Sequence, residues 1–370
     1  MTTLDALPLR QELRDRRAYG APQIATAVKL NTNESPFPPP QALLDAIGES
    51  LRAAASDLHR YPDPDAGALR RDLAGYVSQT DGAEVSAQNI WVANGSNEVM
   101  QHVLQAFGGP GRSAMGFEPT YSMYRHLTLG TGTRWMAEQR GDDFSLNLID
   151  ARRAIVERRP DVVVIANPNS PDGGSVSLEG IETLVTAAPG IVVVDEAYVE
   201  FSAQTSATTL VERHPTKLMV SRTLSKAFGM AGIRLGYLVA HPAVVEAMRL
   251  VRLPYHLSTF TQAAARAALS HHQRMAETVR LLIAERRRVT QELTSLGFTV
   301  APSDGNFLLF GSFPDAAAAW NRYVDRGVLL RDVGIDGHLR TAIGSPTEND
   351  AFLAASSAIR NSVPTRRPGT

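Results

Sequence analysis

One lysine lies among residues that bind anions in the stretch from 221 to 236. Thr223 and Ser225 precede Lys226 and can donate hydrogen bonds through their hydroxyls, and Arg234 follows it. A guanidinium presents parallel N–H donors that suit a phosphate. The amine of Lys226 can condense with a carbonyl to form a Schiff base. This combination predicts covalent chemistry beside a bound anion. The Ser-Lys pair alone would also fit an ordinary surface helix, so the interpretation depends on the rest of the chain.

Further polar residues follow apolar runs that have the pattern of buried strands. The runs at 162–166 and 191–194 are continuous and apolar, and helical stretches separate such runs. This pattern predicts a largely parallel sheet covered on both faces, in which ligands bind at the carboxyl ends of the strands. Four polar signals follow strands of this kind: Tyr121, the turn 167–173 with Asn169 and Ser170, Asp195 with Tyr198, and the stretch around Lys226. Their convergence on one edge predicts a single site.

The residue types at this edge meet the requirements of pyridoxal 5'-phosphate, which needs an amine, a carboxylate, a donor to its phenolic oxygen and a phosphate cup. Asp195 can keep the pyridine nitrogen protonated, and Tyr198 can reach the phenolic oxygen. Tyr121 can stack on the ring. Lys226 can hold the cofactor and later move a proton between substrate and cofactor. We therefore predict Lys226, Asp195 and Tyr198 as catalytic residues.

A helix start completes the predicted phosphate cup. The run 90–93 is strand-like, and the turn after it leads into a helix whose apolar residues share one face. The free N–H groups and the dipole at a helix N-terminus favour a phosphate, although such a start is common and weak evidence alone. The cup is predicted from the following residues: Gly95, Ser96, Asn97, Thr223, Ser225 and Arg234.

Composition limits the other functions. The formal charge is −1, with 44% apolar and 20% charged residues, which argues against nucleic acid or a membrane surface as the main partner. The absence of cysteine excludes disulfides, thiolate metal sites and a cysteine nucleophile. We predict no metal site. The first residues carry no apolar core, so we expect no signal peptide and a cytoplasmic protein.

The length of 370 residues suits two domains. We expect an N-terminal arm with part of a small domain at 1–40 and a large cofactor-binding domain at 41–260. A small α+β domain should follow at 261–361, with a flexible tail at 362–370. A single long amphipathic helix is predicted from 261 to about 295 by its apolar spacing.

The chain resembles the histidinol-phosphate aminotransferases, which are fold-type-I pyridoxal-phosphate enzymes. The resemblance covers nearly the whole length and is carried by these motifs: Tyr19-Gly20, Leu30-Asn31-Thr32-Asn33-Glu34, Arg60-Tyr61-Pro62, Pro119-Thr120-Tyr121, Asp195-Glu196-Ala197-Tyr198, Thr223-Leu224-Ser225-Lys226, Arg234, Leu330-Arg331-Asp332 and Leu339-Arg340. It implies an α/β fold with a mostly parallel seven-stranded sheet and a small α+β domain formed by both chain ends.

The resemblance also implies roles for further residues. Tyr61 would reach the cofactor phosphate of the neighbouring subunit, so we expect a homodimer with shared active sites. Arg331 and Arg340 would anchor the anionic ends of a small amino donor and a 2-oxo acid. Tyr19 would lie near the substrate phosphate, and Asn33 would belong to the substrate site.

One turn departs from the family pattern. Ser170 stands where the family has an asparagine that donates to the phenolic oxygen, and Asp172 and Glu118 add carboxylates near strand ends. Transamination of histidinol phosphate with 2-oxoglutarate is the leading hypothesis. The same chemistry on an aromatic or cationic amino acid, and decarboxylation of an amino-acid phosphate, stay open as alternatives. A cofactor-binding regulator is disfavoured, because Lys226 and Asp195 are both present.

Overall fold

The computed structural model describes residues 6–14, 18 and 20–362. In these residues the strands are β1 (Val28–Lys29), β2 (Ile90–Ala93), β3 (Ser113–Glu118), β4 (Arg134–Gln139), β5 (Val162–Ala166), β6 (Ile191–Asp195), β7 (Leu218–Thr223), β8 (Gly236–Ala240), β9 (Thr299–Val300), β10 (Phe307–Gly311), β11 (Val328–Leu329) and β12 (His338–Ala342). The α-helices are α1 (Gln41–Ala55), α2 (Gly67–Asp81), α3 (Ser96–Phe107), α4 (Met123–Thr131), α5 (Leu148–Arg158), α6 (Leu178–Ala187), α7 (Pro242–Val251), α8 (Thr259–Ser270), α9 (His272–Ser295), α10 (Ala316–Asp325) and α11 (Pro346–Ser362). No helix of the described part is long and apolar enough to cross a bilayer.

Seven strands form the large sheet in the order β2-β8-β7-β6-β5-β3-β4. Strand β8 runs antiparallel to both of its neighbours, and the other pairs are parallel. The predicted mostly parallel seven-stranded sheet is therefore confirmed. Ala166 pairs with Asp195, and Asp195 pairs with Ser221. This register brings the ends of three central strands to one edge.

Helices cover both faces of this sheet. Strand β5 shows why, because Val163 and Ile165 enter one apolar core while Val162 and Val164 enter the other. A strand that is buried on both faces does not alternate between polar and apolar residues, and the sequence of β5 is apolar throughout. The first core is closed by α1, α2, α5, α6 and α8, and the second by α3, α4 and α7.

A third core joins the two ends of the chain. Val28 and Leu30 pack with Leu282, Phe310 and Phe352. Its sheets are an antiparallel one in the order β12-β10-β9 and the parallel pair of β1 with β11. The small α+β unit formed by both chain ends is therefore present, and the exact domain limits stay predictions.

The single helix predicted from 261 to about 295 is wrong. The chain forms α8 and α9 instead, and His271 lies between them with φ −112° and ψ 18°. The imidazole Nδ1 of His271 bonds the Ala267 carbonyl at 3.0 Å, which satisfies a group at the end of α8. The break lets α8 pack against the large sheet's core, through Ala265 and Ala268, while α9 packs in the third core through Leu282.

Candidate active site

A cavity of about 400 Å³ lies at the carboxyl ends of the central strands. This size suits a small-molecule site. The residues predicted from the sequence that line it are Asn33, Ser96, Asn97, Tyr121, Ser170, Asp195, Tyr198, Thr223, Ser225, Lys226, Arg234, Arg331 and Arg340. They come from loops that are distant in sequence and that the sheet register brings together.

Lys226 lies in the loop after β7 and is half-buried. Its Nζ donates to the Thr32 carbonyl at 3.0 Å and lies 5.8 Å from the centre of the Tyr198 ring. Leu224, two residues earlier, is fully buried, and its backbone N–H donates to the Leu235 carbonyl at 3.0 Å. These contacts fix the loop, and the amine of Lys226 extends from it into the cavity.

Asp195 is the last residue of β6 and has an unequal environment at its two oxygens. Oδ2 accepts a hydrogen bond from the Tyr124 hydroxyl at 2.7 Å. Oδ1 is buried and has no hydrogen-bond partner among the described residues. Burial raises the pKa of Asp195 to about 6, and the Tyr124 hydrogen bond acts in the opposite direction. A buried carboxylate oxygen that lacks a donor suits the protonated ring nitrogen of pyridoxal phosphate.

Tyr124 was not identified from the sequence. It is buried on α4, and its ring meets Tyr121 edge-on with centroids 5.5 Å apart. Burial, and then the charge of Asp195, raise the pKa of Tyr124, so its hydroxyl remains a donor. The one sequence feature that could have pointed to Tyr124 is its spacing of about one helical turn from Tyr121. Its partner, however, lies 71 residues away in the sequence.

Tyr198 and Asn33 form a pair across the cavity. The Nδ2 of Asn33 donates to the Tyr198 hydroxyl at 3.1 Å. Asn33 is 1% exposed and has φ 54°, a left-handed conformation that asparagine tolerates better than most residues. Its backbone carbonyl accepts from Asn306 at 3.2 Å, which fixes the loop in place. The Tyr198 hydroxyl is thus oriented by the N-terminal segment.

The residues predicted to form a phosphate cup come together where α3 begins beside β8. Gly95 has φ 88°, and a Cβ there would lie 2.7 Å from the Nη2 of Arg234. A Cβ on Gly236 would lie 2.2 Å from the backbone nitrogen of Ser96. The two glycines therefore let the helix N-terminus, the guanidinium and the strand approach one another. Free N–H groups at such a start bind phosphate readily.

Two hydroxyls complete the cup. The Thr223 hydroxyl donates to Ser225 Oγ at 3.0 Å and accepts from the Ser225 backbone N–H at 3.1 Å. Both side chains are buried apart from their cavity surface. Together with Gly95 and Arg234, they give a donor-rich pocket that fits the phosphate of pyridoxal phosphate.

The residues of the turn 167–173 differ in whether they face the cavity. Asn169 does not line the cavity: its Nδ2 donates to the Pro119 carbonyl at 2.9 Å and to Asp172 Oδ1 at 2.5 Å. Burial raises the pKa of Asp172. Glu118 accepts a hydrogen bond from the indole of Trp135 at 2.9 Å. Neither of these carboxylates lines the cavity, so they are not positioned to contact a substrate there.

Ser170 does line the cavity, where it meets an arginine. The Nη1 of Arg340 donates to Ser170 Oγ at 3.1 Å, and Nη2 donates to the Asn31 carbonyl at 3.0 Å. Arg331 lies opposite Arg340 in a backbone pair, and its Nη1 donates to the Gly20 carbonyl at 3.1 Å. Two guanidinium groups therefore enter the cavity from one side.

Tyr61 is 79% exposed and is absent from the lining of this cavity. Tyr19 falls outside the described residues. The residues that do line the cavity bring together one amine, one buried carboxylate, the hydroxyls and arginine of the predicted phosphate cup, and two further arginines.

This fold and site define a class of enzyme. The chain matches the model of the family described as aminotransferase class I and II over residues 25–355. It belongs to that family and is a pyridoxal-phosphate-dependent aminotransferase, which acts on an amino donor and a 2-oxo acid.

Individual relatives narrow the comparison. The histidinol-phosphate aminotransferase of Mycobacterium avium (strain 104) is 60% identical over 357 residues, which cover 96% of this chain and 90% of that protein. That of Nocardia farcinica is 58% identical over 95% of this chain and 92% of its own length. The crystal structure of the Sinorhizobium meliloti histidinol-phosphate aminotransferase in complex with pyridoxal-5'-phosphate has a TM-score of 0.81 at 27% identity, covering 91% and 92% of the two chains.

Proposed function

We propose that this enzyme transfers the amino group between histidinol phosphate and 2-oxoglutarate, as a step of histidine biosynthesis. The observation that carries the proposal is the identity of 57–60% to curated histidinol-phosphate aminotransferases along nearly the whole chain. The cavity supports it, because Arg331 and Arg340 enter the space that also contains Lys226. Both substrates have an anionic end that a guanidinium binds.

When bound, pyridoxal phosphate supplies a ring that accepts the electrons released as a Cα–H bond breaks. Lys226 would hold it covalently through Nζ until the amino group of the substrate displaces that nitrogen. The freed Nζ would then take the proton from the carbon that bears the substrate's amino group. Asp195 Oδ1 would accept the hydrogen of the ring nitrogen. Tyr198 would donate to the phenolic oxygen, because Asn33 Nδ2 occupies an acceptor site of its hydroxyl.

Tyr124 keeps Asp195 suited to this role. A pKa of about 6 leaves the carboxylate mostly ionised at neutral pH, although burial opposes the charge. The hydroxyl of Tyr124 stabilises the ionised form through the hydrogen bond to Oδ2. Oδ1 is thereby left for the ring. The phosphate cup at Ser96, Thr223 and Arg234 would hold the other end of the cofactor.

A panel of amino donors tests the substrate. Initial rates with 2-oxoglutarate would be compared for histidinol phosphate, phenylalanine, lysine and arginine, with Lys226→Ala as the inactive control. We expect the highest kcat/KM for histidinol phosphate. A higher value for phenylalanine or for a cationic amino acid would contradict the proposed substrate, and release of CO₂ from an amino-acid phosphate would contradict transamination.

We also propose that the enzyme is a homodimer in which Tyr61 completes the partner's phosphate cup. Tyr61 and Leu58 are exposed, as are Leu250, Leu253 and Tyr255 in the segment next to it. Exposed apolar residues concentrated in this way mark an interaction surface. We infer that a second copy of the chain covers this surface, because Tyr61 does not line the cavity of its own chain and a partner would give it a role. The cytoplasmic location expected from the sequence stays a prediction.

A further inference from the structure

A buried arginine joins the ends of three elements next to the site. Arg222 is 1% exposed and directly precedes Thr223 in β7. Its Nη2 donates to Asp81 Oδ2 at 2.6 Å and to Glu196 Oε2 at 2.8 Å, and its Nε donates to the same Glu196 oxygen at 3.0 Å. Asp81 is the last residue of α2, and Glu196 directly follows β6. Asp81, Glu196 and Arg222 form an ion network that connects α2, β6 and β7.

The ion network and the cavity residues lie on opposite faces of the large sheet. Val194 enters the first core. Because side chains alternate along a strand, Asp195 turns to the second face and Glu196 to the first again. The same alternation separates Arg222 from Thr223 in β7. Asp195 and Thr223 accordingly line the cavity, whereas Glu196 and Arg222 do not.

Further hydrogen bonds hold the two carboxylates of the network. Glu196 Oε1 accepts from the Ala207 backbone N–H at 2.7 Å, and its Oε2 accepts from the Ser206 hydroxyl at 2.7 Å. Asp81 Oδ2 accepts from the Thr208 hydroxyl at 2.7 Å. Neither carboxylate can rotate without losing one of these bonds. The network therefore fixes the distance between the ends of β6 and β7 from the side opposite the cavity.

Such a network is an expensive way to fill a protein interior. The desolvation of buried charges offsets most of their attraction, and apolar residues of similar volume are often at least as stabilising. A third carboxylate, Glu200, adds to this cost. Burial raises the pKa of Glu200 to about 7, against the charge of Arg222, and its Oε2 is buried without a hydrogen-bond partner among the described residues. Directed contacts between charged groups provide a defined geometry instead.

We propose that Arg222 is a positioning residue that fixes, through Glu196, the separation between Asp195 and Thr223. Pyridoxal phosphate has to reach both proposed contacts at once, with its ring nitrogen at Asp195 and its phosphate at Thr223. Arg222 and Glu196 touch neither cofactor nor substrate in this scheme. The inference rests on the proposed contacts of Asp195 and Thr223, and it is independent of the amino donor.

The test compares pyridoxal phosphate with its two halves. Pyridoxal and inorganic phosphate can each settle on their own residues, whereas the linked molecule requires the correct spacing between them. Glu196→Gln removes a charge from the network and keeps an acceptor for the Ala207 N–H. Asp81→Asn does the same for the Thr208 hydroxyl. The dissociation constants of the three ligands would be measured by equilibrium titration of the apo-enzyme.

We expect pyridoxal phosphate to bind roughly tenfold more weakly to each variant, because displacements below 1 Å already matter at such sites, and the two halves to change by less than about twofold. Unchanged binding of pyridoxal phosphate in both variants would overturn the positioning role. Equal losses for all three ligands would overturn it as well, since they indicate general damage to the site.

Glu285→Gln is the matched control. Glu285 also holds an arginine, Arg288, at 2.7 Å, and accepts from Asn349 at 2.8 Å, but it does not line the cavity. Thermal unfolding would be recorded for every variant. The control should leave all three dissociation constants unchanged, whatever its effect on stability. A loss of pyridoxal phosphate affinity in the control as large as in the network variants would refute a specific role for Arg222.

Thr223→Val separates this inference from the contacts on which it rests. It should weaken the binding of pyridoxal phosphate and inorganic phosphate and leave that of pyridoxal unchanged. Unchanged binding of all three ligands would overturn the proposed phosphate contact and this inference with it, whereas a failure confined to the network variants would leave that contact intact. If Glu196→Gln does not fold, Asp81→Asn carries the same comparison, because the Asp81 side chain lies at the edge of the network and is 8% exposed.

Discussion

At the scale of single residues, Arg340 takes its orientation from the protein itself. Ser170 and the Asn31 carbonyl each accept a hydrogen bond from one of its terminal nitrogens. The guanidinium also lies 5.5 Å from the centre of the Phe307 ring. Ser170 therefore helps to orient this arginine. A serine hydroxyl stands on a shorter stem than an asparagine amide, so we also predict that Ser170 supports the phenolic oxygen of the cofactor less well than an asparagine would.

Arg340→Ala should lower kcat/KM for both the amino donor and 2-oxoglutarate. The loss of a desolvated charged contact costs on the order of 2–5 kcal/mol in transition-state binding. Ser170→Ala should lower both values in the same direction by less, because it only loosens the arginine. Steady-state kinetics with each substrate varied in turn would measure this. A change confined to thermal stability would show that Arg340 is structural.

In Tyr124→Phe, the affinity for pyridoxal phosphate should begin to fall at a higher pH than in the wild type as the solution is made more acidic. The Tyr124 hydrogen bond lowers the pKa of Asp195, which burial raises to about 6, so its removal raises that pKa further. Below its pKa the carboxyl is neutral and cannot pair with the protonated ring. A hydrogen bond to a charged group contributes roughly 1.5–3 kcal/mol, so affinity near the wild-type pKa should fall about tenfold.

The measurement is the dissociation constant of pyridoxal phosphate for the apo-enzyme between about pH 5 and pH 8. Tyr323→Phe is the matched control, since it also removes a buried hydroxyl, which pairs with Ser356 at 2.9 Å in the third core. Its pH profile should keep the wild-type midpoint. Coincident profiles for Tyr124→Phe and wild type would remove Tyr124 from the mechanism.

At the scale of elements, the contact between α3 and β8 shapes the proposed phosphate cup. Gly236 begins β8 and pairs with Ala93 and Thr223 on its two sides. It also lies against the first residues of α3, where a Cβ would meet backbone atoms of Gly95 and Ser96. Because these are backbone atoms, no flexible side chain is there to move aside.

Gly236→Ala should therefore weaken both the fold and cofactor binding. Overpacking of this kind costs about 1–3 kcal/mol of unfolding free energy. Gly48→Ala is the control, because Gly48 lies inside α1 with open space around its would-be Cβ. That change should stabilise the protein by about 0.4–1 kcal/mol. Urea unfolding of the two variants should shift in opposite directions, and equal shifts would refute the close-contact argument.

At the scale of the whole molecule, the proposed shared site makes activity a property of two chains. Lys226→Ala and Tyr61→Ala homodimers should each be impaired, because one lacks the amine and the other lacks the partner's contribution. A mixed dimer would contain one site with Lys226 from one chain and Tyr61 from the other. Unfolding and refolding the two variants together should therefore restore activity.

The recovered activity would be compared with that of each variant refolded alone at the same concentration. Sedimentation would establish that mixed dimers have formed, with a tag on one variant to isolate them. Mixed dimers without any gain over Tyr61→Ala alone would show that Tyr61 acts within its own chain, or not at all. Full specific activity in a monomer would contradict the shared site directly.

The sequence by itself determined the fold class, the cofactor and the family, because the patterns that indicate them are formed by residues close together in the chain. Continuous apolar runs such as 162–166 predicted buried parallel strands, and short motifs identified Lys226 and Asp195. Strand β4 was missed, since its edge position leaves a mixed pattern of exposure. The break between α8 and α9 was missed as well, because amphipathic spacing continues across His271 and only packing against two different cores separates the helices.

The tertiary structure decided which side chains meet. Tyr124 and Asp195 are 71 residues apart, and Ser170 and Arg340 are 170 apart. Asn169 and Ser170 are adjacent, yet only Ser170 faces the cavity. Local sequence patterns specify whether a segment is a strand, a helix or a turn. The pairing of hydroxyl with carboxylate depends on strand register and on the packing of α4 against the sheet, and these are set by contacts between segments that are remote in the chain.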